Sequence, residues 1–560
     1  MSLLINALIN LLRLVRNARR AFRRPPDFVW VPVTGALPEF EPSRRGLLRR
    51  RLDPRTLAPS LESIRSRLDR ILADERARGV ILRVENLDAG WATLEELRAE
   101  LHRFRERGKT VAAYLVYPDT RSYYLASAAD KVFASPLSML NVVGLRARVN
   151  FLKDSLGRLG LETEVVAVSP YKSAADPISR SDFSPEAREQ TERLLDARFD
   201  ELVSEISAGR DITPEQVKTL IDNAPYSAAE AVQNKLIDGA LYEDELAGRL
   251  SDGEKPARLA EWGVANKSLR LPYRDRGVRK AVGLVRVEGT IVSGRSRKLP
   301  LPLPLLGREQ AGSDSVVASL RVAEKSRRIG AVLLYVDSPG GDALGSDLIW
   351  REVERIRAKK PIVVLMGNAA ASGGYYVSAP ASHVFARKNT ITGSIGVILT
   401  RPVAAGLLNQ LKVNPVTVGR GARSNLLDPR RRPTPDELAV LEHQLNVFYD
   451  GFKDRVASGR GLRPENLEGI VGGRVWTGTE ALRRGLVDDT GGFREALAKA
   501  RELAGITDDS DSLARIPPPR GARPAPGEPV QEVLDTAREA FRELGTARVW
   551  ALSPYEISDD

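Results

Sequence analysis

GAVLLYVDSPGGD, residues 330–342, has a counterpart in GVILRVENLDAG, residues 79–90. Each is a run of aliphatic and β-branched residues ending in a polar, glycine-containing turn, the pattern of a buried strand running into a loop. The correspondence continues outward from this pair. FVWVPVTGALPEF (28–40) matches VGLVRVEGTIVSG (282–294), and RERGKTVAAYL (105–115) matches RAKKPIVVLMG (357–367). YYLASAADKVFASP (123–136) matches YYVSAPASHVFARK (375–388), and APYSAAEAVQNKLID (224–238) matches RVWTGTEALRRGLVD (474–488). An offset near 250 kept through five segments marks a duplicated domain.

Within each half, short apolar runs alternate with charged amphipathic stretches. Residues 332–336, about 344–358 and 361–366 read as strand, helix and strand. That alternation predicts parallel sheets and an α/β layered fold in both halves. Helical stretches are expected at 184–208 and 434–458. The expected division is an N-terminal segment 1–25, a first domain 26–252, a linker 253–279, a second domain 280–505, and a Pro-rich tail 506–560 with a closing amphipathic helix at 529–545. KLPLPLPLLG (298–307) has no counterpart in the first half and reads as a loop packed on its own domain, or one touching membrane or substrate.

The chain has 560 residues, a formal charge of +12, no cysteine and three histidines, His102, His383 and His443. This composition excludes disulfides, thiol nucleophiles and thiolate metal sites, and leaves no histidine-based metal motif. Arginines cluster at 13–24 and 44–51 with no nucleic-acid-binding motif beside them, so a solvated face or anionic lipid is expected and nucleic acid is not. Residues 3–15 are apolar but short for a bilayer span. Asn6, Asn10, Arg13 and Asn17 form one polar stripe along them. Such a helix suits a membrane interface or a docking face on the protein itself.

The chemistry shows where the halves differ. The second half has Ser338-Pro339-Gly340-Gly341, where paired glycines let backbone N–H groups approach a ligand oxygen. It also has Ser372-Gly373-Gly374 leading into a helix, where the first half has Thr120-Arg121-Ser122. A serine before two glycines presents its hydroxyl beside backbone donors, although a helix cap reads the same way. The first half alone has Lys172, opposite Ala422. A lysine in an apolar pocket loses its proton easily enough to take one from serine, and with so few histidines a Ser–Lys pair is the compact route to an activated hydroxyl. His383, in a predicted strand, is read as structural.

These motifs together resemble the signal peptide peptidase A (protease IV) family, peptidase family S49, in its long tandem form. The carriers are DSPGG (337–341), MGNAAASGGYYVSA (366–379), TITGSIGV (390–397), YKSA (171–174) and RVWTGTEALRRGLVD (474–488). The resemblance implies two tandem Clp-protease/crotonase-like domains of ββα units and a serine peptidase acting on hydrophobic peptides such as signal-peptide remnants. It implies Ser372 as nucleophile, Lys172 as general base, and Ser394 as the residue that orients the lysine. Gly340 or Gly341, with Gly373, would be oxyanion donors. In single-domain relatives serine and lysine lie 52 residues apart in one repeat, and Thr120 stands 52 before Lys172, at the vacated serine position. No cofactor or metal is implied. A ring-like homo-oligomer, a tetramer, associated with the bacterial inner membrane is. The rival expectations are a crotonase-type acyl-CoA enzyme and an inactive scaffold on the same fold.

Overall fold

In a computed structural model the chain is described over residues 2–41, 59–273, 280–303, 307–507, 513–519 and 548–552. The arginines at 44–51 and the helix expected at 529–545 lie outside the described residues.

The first half begins with α1 (Ser2–Ala21) and then builds β1 (Phe28–Gly35), β2 (Gly79–Leu87), α2 (Trp91–Glu106), β3 (Thr110–Leu115), α3 (Thr120–Ala126), β4 (Lys131–Ala134), β5 (Glu162–Ala167), α4 (Pro185–Arg210), β6 (Gly239–Ala240) and β7 (Leu259–Glu261). Six of its strands form one parallel sheet in the order β6-β4-β3-β2-β1-β7. Helices cover both faces, so Val80, Ile81 and Leu82 of β2 are all buried and the strand reads as an unbroken apolar run. β7 lies in the segment expected as a linker, and Ala265 and Leu269 pack into the first core. Residues 259–269 therefore belong to the first sheet and its core rather than to a connector.

The second half comprises β8 (Ala281–Glu288), β9 (Thr290–Val292), β10 (Arg297–Leu303), β11 (Gly307–Gly312), β12 (Ile329–Ser338), β13 (Gly340–Asp342), α5 (Ala343–Arg357), β14 (Ile362–Ala371), α6 (Gly373–Ser378), β15 (His383–Ala386), β16 (Ile391–Gly393), β17 (Ile398–Val403), α7 (Pro435–Arg460), β18 (Val475–Thr477), β19 (Asp489–Thr490), α8 (Phe493–Leu503), β20 (Leu513–Arg515) and β21 (Arg548–Leu552). Its main sheet runs β18-β16-β14-β12-β8-β20, with β15 and β19 off that path. β20 pairs with β8, so part of the tail expected as a linker is an edge strand. The Leu/Pro insertion is an antiparallel arm, with β10 paired to β11 through Lys298–Glu309, rather than a loop.

The duplication is visible in matched interactions. α4 and α7 each have 26 residues and end on left-handed residues, Asp211 and Gly461. Tyr123 donates to the Leu236 carbonyl and Tyr375 to the Leu486 carbonyl, both at 2.8 Å.

Arg13 and Asn17 of the polar stripe of α1 face inward. Asn17 donates to the Leu271 carbonyl at 2.9 Å and accepts from the Leu271 N–H at 2.7 Å, while Arg13 and Arg20 reach the Pro272 and Leu269 carbonyls. These side chains thus bind backbone groups of 269–272 that lie outside the strands, and Leu8, Leu11, Leu12, Leu14 and Val15 are left exposed. Among the described residues no helix is long and apolar enough to cross a membrane.

Strand pairing and buried charge join the halves. β5 of the first half pairs antiparallel with β17 of the second, from Ala167–Ile398 to Glu162–Val403. The buried charge is an ionic ring. Arg387 binds Glu39 at 2.6 Å and Glu96 at 3.0 Å, while Arg65 binds the same two carboxylates at 2.7 and 3.1 Å. Asn368, also from the second half, accepts from the Thr93 N–H at 3.1 Å. It thereby supplies the side-chain cap that Gly90 cannot give α2.

Candidate active site

The β5–β17 pairing sets the site. β5 ends five residues before Lys172, and β17 begins four residues after Ser394, so the pairing carries the lysine from one half to the serines of the other. Lys172 Nζ lies 2.6 Å from Ser372 Oγ, 2.9 Å from Ser394 Oγ and 2.9 Å from the Ser394 carbonyl oxygen. All three residues are buried. Burial strips water from the amine and holds Lys172 well below the ordinary lysine value of 10.5.

Ser372 sits between β14 and α6 with φ 54° and ψ −114°. Its N–H donates to the Gly393 carbonyl at 2.7 Å, and its own carbonyl accepts from the Tyr376 N–H at 2.8 Å. Ser394 also has positive φ, 53°, and its N–H donates to the Arg474 carbonyl at 2.7 Å. A side chain at positive φ is strained, so neighbouring bonds must hold both serines in place. The strain at Ser372 turns its hydroxyl off the strand end toward the lysine.

The glycines are packed against the serine elbow. A Cβ at Gly373 would lie 2.5 Å from Ser346 Oγ and 3.2 Å from the Gly341 nitrogen, and one at Gly341 would lie 2.0 Å from the Ile291 carbonyl oxygen. The Gly340 N–H donates to Ser338 Oγ at 3.2 Å. Of the three glycines expected to line the site, Gly341 and Gly373 therefore present their backbones side by side, while the Gly340 amide is engaged within its own turn.

Sequence reasoning missed several supporting residues. Asp337 accepts from the Ala369 N–H at 3.0 Å and from the Tyr335 hydroxyl at 3.3 Å, tying the glycine turn to the strand that ends at Ser372. Burial pushes the Asp337 carboxyl up. Gly473, at φ 88°, backs onto Lys172, where a Cβ would lie 2.7 Å from the Lys172 Cβ and 2.8 Å from its nitrogen. The signal was legible as the glycine pair preceding RVWTG, but nothing in sequence showed what it approached. Gly473→Ala is expected to displace Lys172 and lower kcat/KM about a hundredfold with the circular dichroism spectrum unchanged, since misplacement of this kind costs that much. Unaltered kinetics would show that Lys172 does not need this support.

The first half keeps the outline of the same site. Thr120 Oγ1 lies 3.2 Å from the Gly144 carbonyl oxygen, as Ser372 Oγ lies 3.5 Å from that of Gly396, and both pairs of positions are 252 residues apart. Val142 stands where Ser394 does, and Ala422, opposite Lys172, lies in an exposed loop. His383 pairs with Asp489 at 3.0 Å, away from the serines in the β15–β19 pair.

The model of peptidase family S49 matches residues 103–256 and 354–507. "Serine protease SPPA, chloroplastic" of Arabidopsis thaliana is 33% identical over 444 residues, 77% of this chain and 64% of that protein. "Protease 4" of Haemophilus influenzae is 30% identical over 459 residues, 78% of this chain and 72% of that protein. Among solved structures, a point mutant of ClpP1 from Listeria monocytogenes overlaps 38% of this chain and 94% of that one, at 14% identity and a TM-score of 0.24. The parallel α/β architecture of both halves rests on their own strand pairing rather than on that overlap.

Proposed function

This chain belongs to peptidase family S49, a family of serine peptidases, and from that premise we propose that Ser372 is its nucleophile and Lys172 its general base. The observation that carries the reading is the 2.6 Å approach of a buried, water-stripped amine to a serine 200 positions away. A neutral amine has two N–H groups and one lone pair. Its three oxygen neighbours match that inventory if it donates to the Ser394 hydroxyl and carbonyl and accepts from the Ser372 hydroxyl.

Proton transfer to Lys172 lets Ser372 Oγ attack a peptide carbonyl, with the Gly341 and Gly373 N–H groups taking the oxyanion. Protonated Lys172 then donates to the leaving amine, and a water deprotonated by the same lysine hydrolyses the acyl-enzyme. Ser394 orients the amine and takes no part in bond making or breaking. Hydrophobic peptides, signal-peptide remnants among them, are the proposed substrates. Their processing at a membrane surface is favoured by the apolar face that α1 turns outward and by the arginines at 16, 19 and 23 beside it. A ring-like homo-oligomer is proposed with it.

A fluorophosphonate probe tests the assignment. Covalent label is expected on Ser372 by peptide mass spectrometry and absent from Ser372→Ala. Because only the neutral amine can accept the serine proton, labelling should fall as pH drops through the depressed Lys172 value and level off above it, well before 10.5. An acyl-CoA enzyme on this fold would take no label, and a rate still climbing at about pH 10 would mean an ordinary lysine.

A further inference from the structure

The first half buries a cation without a counter-charge, close to the position its nucleophile has vacated. Arg198, in the middle of α4, is 6% exposed. Its Nε is enclosed without a hydrogen-bond partner, and no carboxylate among the described residues pairs with it. Further along the same helix, Glu201 and Glu205 are turned to Lys388 and Arg98 instead. The charged neighbour of Arg198 is another cation, Arg121 on α3, against which α4 packs. Arg121 reaches the exposed carboxylate of Asp88 at 3.4 Å, a long contact at the surface. Burial, with Arg121 adding to it, lowers the Arg198 guanidinium to about 10, so it remains charged at neutral pH. An ionised group held out of water is costly unless something pairs with it.

Both arginines stand where the second half has site residues of a different kind. α4 and α7 match end to end over 26 residues, so Arg198 corresponds to Phe448. Arg121, next to Thr120, corresponds to Gly373. Gly373 is the proposed oxyanion donor, and Phe448 lines a cavity of about 190 Å³ with Tyr376 and Val397 beside α6. In the first half a guanidinium therefore replaces a bare backbone N–H at one position and a phenyl ring at the other. The segments flanking Thr120 are held together, since Asp119 bridges Asn141, whose N–H donates to the Pro118 carbonyl at 2.8 Å. Tyr117 and Val143, one on each segment, are exposed and give this rim an apolar character.

We infer that the vacated catalytic position of the first half is a binding site for the C-terminal carboxylate of a hydrophobic peptide, with Arg198 and Arg121 holding the carboxylate and Tyr117 and Val143 the apolar residues before it. The N–H fork of a guanidinium matches the two oxygens of a carboxylate, and the ligand brings the negative charge that Arg198 lacks. A backbone N–H such as that of Gly373 suits the single oxygen of an internal peptide carbonyl, whereas a guanidinium suits a free chain end. The two halves thus divide their work, one acting within a peptide and the other holding its end. The peptide class follows from membership of a peptidase family, and the site does not depend on the role given to Ser372.

Equilibrium binding to the full-length chain tests the inference, with Ser372→Ala present to suppress cleavage. Two fluorescein-labelled forms of one hydrophobic peptide are compared, one ending in a free carboxylate and the other in a carboxamide. The acid is expected to bind about tenfold more tightly than the amide. Arg198→Met should bring the acid to the affinity of the amide and leave the amide unchanged, and Arg121→Met should shrink the preference in the same direction. Equal affinities for acid and amide, or a preference that survives Arg198→Met, overturn the inference. So does protection of the chain from thermal unfolding by inorganic phosphate, lost in Arg198→Met, while the two peptides bind alike. Without peptide, Arg198→Met should melt at or above the temperature of the unaltered chain. The folded chain holds that proton less tightly than the unfolded one, so the charge opposes folding. A large fall in melting temperature would make Arg198 a structural residue and overturn the inference. Fluorophosphonate labelling of Ser372 should be the same in Arg198→Met as in the unaltered chain, so failure of the catalytic reading is seen separately from failure of this site.

Discussion

Ser372→Ala and Lys172→Met are each expected to lower kcat/KM for a hydrophobic peptide by about ten-thousand-fold or more, because members of one proton-transfer unit fail together. Combining them should cost little more than either alone. Their effects on stability should differ. Ser372→Ala removes a hydroxyl and relaxes nothing else, so its melting temperature should stay near that of the unaltered chain. Lys172→Met removes an amine that burial makes hard to protonate. The unfolded chain takes up that proton near 10.5, and the folded chain only far below it, so between those values the unfolded state binds the extra proton and folding is opposed. At neutral pH Lys172→Met should therefore melt at or above the temperature of the unaltered chain while being inactive. Loss of activity accompanied by a large fall in melting temperature would make Lys172 a structural residue.

Arg387→Met is expected to be the most damaging substitution to stability, costing about 3–5 kcal/mol, since it removes one of the two cations that neutralise two buried carboxylates. Glu39 and Glu96 would then share Arg65 alone. Desolvation works to raise the Glu39 carboxyl, but Arg387 and Arg65 outweigh it and hold it below the usual carboxylate range. Removing Arg387 reverses that balance. Urea denaturation should show the loss, and Glu39→Gln in the same chain should restore part of it, because the two positions are coupled. Peptidase activity should fall as well, since the ring joins the half that supplies Lys172 to the half that supplies Ser372. If the single substitution costs less than about 1 kcal/mol, the range of a surface ion pair, the ring does not hold the junction.

Much of this was legible in sequence because duplication doubles each signal. A strand matched by another strand about 250 residues away shows its period twice, and a residue present in only one copy stands out against the frame that survives around it. Lys172 and Ser372 were separable from ordinary lysines and serines in this way. Arg387 and Glu96 were not, because a charged residue in an amphipathic stretch reads as solvated until the surface facing it is known. Asn368 reads as one polar residue in an apolar strand, and its partner Thr93 is 275 residues away.

The sequence by itself determined the two-domain α/β organisation and the small set of residues able to do the chemistry, since both follow from local periodicity and from comparing one half with the other. The tertiary structure alone decided that Lys172 Nζ meets Ser372 Oγ, that Arg13 and Asn17 of α1 face the protein, and that residues 548–552 pair between β13 and β17, opposite Gly340 and Gly341. The physical reason is the same in each case. Long-range pairing depends on which edges remain unpaired once each half has folded, and no window of sequence contains both partners.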